Sequence, residues 1–183
     1  MRLDSRQIKK MTYAALFLAL AMVLPFLTGQ IPQIGKSLCP MHIPALLCGF
    51  LCGWPWGLAV GFIAPLLRSV TFGMPAMFPD AVVMAFELAA YGAAAGLLYR
   101  LLPKKLGIWR IYIALVAAMI AGRIIYGILY LSLSGLGFIS TEVTWVFFWT
   151  KAFANPFPGI VLQLVLIPAL VAALEKMGMS LNK

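Results

Sequence analysis

The stretch Arg100-Leu-Leu-Pro-Lys-Lys-Leu-Gly-Ile-Trp-Arg110 sets four cations between two long apolar runs, residues 81–99 and 111–131, each interrupted by one charge. Pro103 cannot continue a helix, and Lys and Arg in short loops hold their side of a bilayer cytoplasmic. The stretch therefore reads as a cytoplasmic turn between two membrane-spanning helices. Two further basic clusters lie outward from it, Arg2, Arg6, Lys9 and Lys10 at the start and Lys176 and Lys183 at the end. Together the three clusters hold ten of the fourteen basic residues. If all three face the cytoplasm, the chain crosses the membrane an even number of times both before and after residue 105.

Composition agrees. The chain of 183 residues is 63% hydrophobic and 10% charged, with a mean hydropathy of +1.00, whereas a soluble domain carries about 25% charge. At about 20 residues per span, one domain covering residues 1–183 accommodates six helices with short connections. The expected fold is an all-α integral membrane bundle of six transmembrane helices with both termini cytoplasmic. The net charge of +9 is explained by the clusters flanking apolar spans, so nucleic acid is not an expected partner. The basic start followed by an apolar run imitates a signal peptide, but no small-residue cleavage site follows before Gln30, so the run reads as a retained helix. Cys39, Cys48 and Cys52 form no disulfide framework, and the latter two read as packing residues on one helical face.

The spans follow from the Gly and Pro punctuation. The first runs from Lys9 to Thr28 and ends in an outer loop, Gly29 to Gly35. A short segment from Met41 to Gly53 returns, Gly53-Trp-Pro-Trp-Gly57 reads as a tight interfacial turn, and Gly57 to Thr71 climbs outward again. At about 1.5 Å per residue both are shorter than a bilayer core of about 30 Å and need support from neighbours. Phe72 to Pro79 forms the second outer loop, and Pro79 or Asp80 opens a helix to Leu102. A fifth helix spans Ile108 to Leu133, and a sixth spans Val143 to Lys176 with a kink near Pro156 and Pro158. No internal repeat of the secondary-transporter type is visible.

Four cations, Lys36, Arg68, Arg123 and Lys151, stand apart from the clusters, against Asp80, Glu87 and Glu142. A charge within a span costs about 2.5–3.5 kcal/mol on the gentlest insertion scale. Helical rise puts Glu87 and Arg123 at similar depth, so they can pair, either as a lock between adjacent helices or as part of a solute site. The cationic surplus in the outer half favours an anionic ligand. Arg68, Arg123, Lys151 and Asn155 are the candidate contacts, with Glu87 orienting Arg123. Against them stand a structural pair for Glu87–Arg123 and snorkelling for Arg68 and Lys151. His42 lines or caps the same cavity. Phe72, Met74, Met77 and Phe78, with Trp145, Phe148 and Trp149, could close an apolar lid, or simply form an interfacial belt. Cys39-Pro-Met-His42 offers metal-ligand residue types but has no second set, so no metal site is expected. No nucleophile, acid and base occur at catalytic spacing and no phosphate-cradling loop is present, so neither an enzyme nor an ATPase is expected in this chain. Ala15 and Ala19, four apart on helix one, and Ala85, Ala89, Ala93, Gly92 and Gly96 on helix four form small faces that permit close approach of helices.

Taken together these residues resemble the substrate-binding S component of energy-coupling-factor (ECF) vitamin transporters. The resemblance rests on the basic start followed by Ala15-Leu-Phe-Leu-Ala19, on Met41-His-Ile-Pro44, Gly61-Phe-Ile-Ala-Pro65-Leu-Leu-Arg68 and Phe72-Gly-Met-Pro75, and on Phe86-Glu87. It implies residence in the plasma membrane of a prokaryote and capture of a water-soluble vitamin from outside. It also implies docking of Ala15 and Ala19 on a transmembrane coupling subunit and release by toppling in a complex whose two cytoplasmic ATPases hydrolyse ATP; the chain itself needs no cofactor. A pantothenate-like carboxylate is the favoured substrate and riboflavin the runner-up. An autonomous small carrier and an intramembrane enzyme built on Glu87, His42 or Asp80 are the competing classes.

Overall fold

The computed structural model describes residues 4–28, 37–139, 149–150 and 154–182. Among the described residues six helices carry the fold: α1 (Ser5–Val23), α2 (His42–Cys52), α3 (Trp54–Phe72), α4 (Val82–Leu101), α5 (Trp109–Gly135) and α6 (Phe157–Lys176). No strand occurs among the described residues. Five of the helical stretches are long and apolar enough to cross a membrane: Ser5–Leu27, Trp54–Phe72, Met77–Leu101, Trp109–Gly135 and Phe157–Lys176. This is a helical membrane bundle.

The exception is α2. Its 11 residues rise only about 16 Å, yet all of them from His42 to Cys52 are buried. A helix apolar all round belongs inside a bundle rather than on its lipid face. Here α1, α3, α4 and α6 pack around it, and Leu46, Cys48, Phe50 and Cys52 are fully enclosed. The support that so short a segment needs comes from these four neighbours.

The seam of α2, α3 and α4 explains the glycines. A methyl group at Gly57 would lie 2.6 Å from both the Gly49 Cα and the Gly92 carbonyl oxygen, and one at Gly96 would lie 2.5 Å from the Trp54 nitrogen. Backbones therefore touch directly, as small faces allow, and the α3–α4 interface is the most extensive in the bundle. Gly53 makes the reversal between α2 and α3 alone, at φ 99° and ψ 169°, a conformation open to glycine and strained for other residues.

Two boundaries differ from the sequence reading. Trp54, Pro55 and Trp56 are not a turn: they form the first turn of α3, because proline is compatible with the first positions of a helix, where no backbone N–H bond is lost. With 19 residues α3 spans about 28 Å and is not a short segment. In the last segment, the chain turns at Asn155-Pro156 before α6 begins, with the Asn155 N–H donating to the Thr150 carbonyl at 2.9 Å. The helix expected from Val143 is thus interrupted there rather than merely kinked; residues 140–148 and 151–153 lie outside the described residues.

Beyond α6 the chain folds back beneath the bundle. Leu181 N–H donates to the Leu51 carbonyl at 2.8 Å, and the Asn182 amide donates to the Gly96 carbonyl at 3.0 Å. Ser180 and Asn182 are buried there.

Candidate functional site

Glu87 on α4 and Arg123 on α5 meet in the interior. Arg123 Nη1 donates to Glu87 Oε1 at 2.8 Å, and the residues are 3% and 7% exposed. Two lone charges at that depth would each be costly, and pairing offsets much of the desolvation. His42 opens α2 beside them, its Nε2 3.6 Å from Glu87 Oε1, too far for a hydrogen bond. The imidazole meets the edge of the Tyr91 ring, with centroids 5.1 Å apart and planes at 89°. Tyr91 reaches this position because its ring occupies the space that a side chain at Gly122 would fill. Cys39 lies close enough to Arg123 to interact with its charge, and Cys39 holds φ 48°, a left-handed backbone that few non-glycine residues adopt.

The cluster is not self-sufficient. Among the described residues His42 Nδ1 and Nε2, Arg123 Nε and Gln163 Oε1 are buried without a hydrogen-bond partner. An unmet buried polar group costs about 1–3 kcal/mol, so the unmet groups of His42 and Arg123, which both adjoin Glu87, mark a place suited to something polar. Gln163 was missed in the sequence, although it is the sole polar side chain in the run from Phe157 to Leu174. Its helix is placed by Gly159, where a methyl group would lie 2.7 Å from the Ser37 and Leu38 carbonyl oxygens. Gln163 stands four residues further along, on the same face of α6, and is 2% exposed.

The other expected contacts are placed differently. Arg68 is buried at 4% exposure and turns toward α1: its Nη1 donates to the Met22 carbonyl at 2.6 Å. Its guanidinium lies 5.1 Å from the Phe26 ring centroid and 5.2 Å from that of Phe72. It does not snorkel, and among the described residues no hydrogen bond or ion pair joins it to the Glu87–Arg123 pair. Phe72, Met74, Met77 and Phe78 are 43–49% exposed; Phe72 stacks edge-on against Phe26 at 5.0 Å and Phe78 against Phe138 at 6.0 Å. Asn155 is exposed in the turn before α6. Lys151, with Lys36, Glu142, Trp145 and Phe148, lies outside the described residues. Asp80 has a partner the sequence did not disclose, the Tyr130 hydroxyl, which donates to it at 2.8 Å. On α1, Ala14, Phe17 and Ala21 face the core, while Ala15, Leu16, Ala19 and Leu20 are exposed.

Residues 9–171 match the family model of the ECF transporter substrate-specific component. The chain belongs to this family. No curated protein and no solved structure matches it. The family consists of transporter substrate-binding components, which are not enzymes and which work with a coupling subunit and ATPases.

A second polar centre lies some 18 Å away along the helices, twelve residues beyond Glu87 on α4 and thirteen before Arg123 on α5. There Arg110 Nε donates to the Tyr99 carbonyl at 2.6 Å, its guanidinium sits 3.8 Å from the Tyr99 ring centroid, and the Tyr99 hydroxyl donates to Glu175. Arg110 reads in the sequence as one more orienting charge, but it is 9% exposed. Stacking on an aromatic face is what lets a guanidinium settle there. A cavity of about 490 Å³ opens at this end and includes none of the residues around Arg123.

Proposed function

We propose that this S component captures a water-soluble vitamin bearing a carboxylate, of the pantothenate type, at the cluster of His42, Glu87, Arg123 and Gln163, and passes it to the cytoplasm. The reading is supported by one observation above the others: three of these four side chains present buried donors or acceptors that no group among the described residues meets. A small solute with a carboxylate and neighbouring hydroxyl or amide groups would meet them, and Arg suits a carboxylate because its planar fork donates two parallel bonds.

The charge balance divides the labour. Glu87 and Arg123 cancel, so Glu87 aims the guanidinium and leaves its Nε edge for the ligand. The remaining positive charge for an anion is assigned to Lys151, with Asn155 as a further polar contact, both on the sequence reading alone. Phe72 and Met74 form the apolar lip, and Arg68 holds α1 against α3 beneath Phe72 rather than contacting the ligand first. In this reading the chain has six crossings and both termini cytoplasmic, with the three basic clusters held on the inner side as the Lys and Arg bias of short loops requires. The vitamin enters from the opposite side of a prokaryotic plasma membrane. The exposed Ala15–Ala19 face receives the coupling subunit by close helix approach, two ATPases supply the energy, and toppling of the whole S component exposes the site inside.

The test is equilibrium binding of a panel of vitamins to the purified chain. Pantothenate-like carboxylates should bind best, and the Arg123→Met variant should lose them; preference for a neutral ring compound such as riboflavin would leave the family intact and remove the carboxylate.

A further inference from the structure

The cavity of about 490 Å³ at the other end of the bundle is lined by Tyr99, Lys104, Arg110, Glu175, Lys176 and Ser180, among others. Three cations face one carboxylate, and that carboxylate already accepts the Tyr99 hydroxyl. Neither Lys104, Arg110 nor Lys176 forms an ion pair among the described residues. Arg110 is nine-tenths buried, and only its Nε is engaged, by the Tyr99 carbonyl. Its terminal nitrogens have no hydrogen-bond partner among the described residues. One wall is the folded-back tail, fixed by Leu181 on Leu51 and Asn182 on Gly96. The cavity is therefore framed by four separate stretches: the end of α4, the basic turn with the start of α5, the end of α6, and the tail.

Its level in the membrane follows from its surroundings. Ile108 and Trp109, at the start of α5, are 50% and 67% exposed, and exposed tryptophan at a helix end marks the headgroup region. Lys104 and Lys176 are exposed at the mouth. A confined positive pocket between helix ends at headgroup depth suits an anionic headgroup better than a soluble metabolite.

We propose that this cavity binds a phosphate group, and that the phosphate belongs to the headgroup of an anionic lipid such as phosphatidylglycerol. Arg110 would donate through its free edge, Lys104 and Lys176 would close over the charge, and the Ser180 hydroxyl would supply a neutral donor. Occupancy would tie the basic turn, α6 and the tail together. The inference stands apart from the vitamin site, which shares no residue with it.

The experiment measures thermal stabilisation of the full chain in detergent by phosphatidylglycerol, by phosphatidylcholine and by inorganic phosphate. It compares Lys104→Ala/Lys176→Ala with Lys9→Ala/Lys105→Ala, which removes equal charge outside the cavity. Arg110 is left intact because its stacking on Tyr99 serves the fold. Phosphatidylglycerol should stabilise more than phosphatidylcholine, and losing the two cavity lysines should weaken its apparent affinity about 30-fold, with the control pair unchanged. Stabilisation by inorganic phosphate that is lost in the same variant would uphold the phosphate site and make its source soluble. Equal effects of the two lipids, or equal losses in the two variants, would overturn the proposal.

Discussion

Arg123 and Glu87 form a 2.8 Å charge-assisted hydrogen bond between the middle of α5 and the second turn of α4, and the guanidinium retains a buried Nε with no partner among the described residues. A purely structural lock would be expected to meet every donor it buries. Here one edge of the guanidinium is spent on the fold and the other is left over. The two roles weighed for this pair in the sequence are compatible, and separate variants can resolve them.

Removing one member strands the other. Arg123→Met should cost about 3–5 kcal/mol of stability, while Glu87→Met/Arg123→Met, which replaces the pair by apolar groups of similar volume, should recover most of it. Thermal unfolding of the three proteins checks this. If the double variant is as unstable as the single one, the pair does more for the fold than compensate itself.

Arg68 should behave differently. Arg68→Leu removes the bond to the Met22 carbonyl and the contacts with two phenylalanine rings, a loss of about 2–4 kcal/mol. Vitamin affinity, measured on the fraction that remains folded, should be retained. A collapse of affinity with little loss of stability would return Arg68 to the ligand.

The glycine seam makes a sharper contrast. Gly57→Ala puts a methyl group 2.6 Å from backbone atoms on two neighbouring helices and should cost about 1–3 kcal/mol or prevent folding. Gly135→Ala, which meets nothing within 4 Å among the described residues at the end of α5, should be neutral or stabilising by up to about 1 kcal/mol. Expression yield and melting temperature in detergent distinguish them.

On α1, Ala15→Leu/Ala19→Leu enlarges an exposed face and leaves Ala14, Phe17 and Ala21 in the core. Vitamin binding should persist and co-purification with a coupling subunit should fail. Loss of both would place these alanines in the bundle's own packing.

Much of this arrangement was legible in the sequence because membrane insertion penalises every charge and every break in a span. That is why the apolar segments, the buried Glu87 and Arg123 and the small residues of α4 could be read directly. The penalty says nothing about direction, however. Arg68 is recognisable as an intramembrane cation, but its turn toward Met22 depends on where α1 ends. Arg110 looks like its neighbours Lys104 and Lys105 until Tyr99 is seen beneath it. Gln163 was legible and overlooked, as an amide amid hydrocarbon. Cys39 meets Arg123 across 84 positions of chain, a closure that periodicity cannot reveal. The proline at 55 was misread because a residue that ends one helix is equally suited to begin another.

The most direct measurement is binding of a pantothenate-like carboxylated vitamin to the purified chain, compared between the wild type and Glu87→Met/Arg123→Met. The account predicts that the wild type, at one hundred times its dissociation constant, gains about 2.7 kcal/mol of stability, and that the double variant folds but gains none. Equal stabilisation of both proteins by the vitamin would show that the ligand binds elsewhere and that the buried pair serves the fold alone.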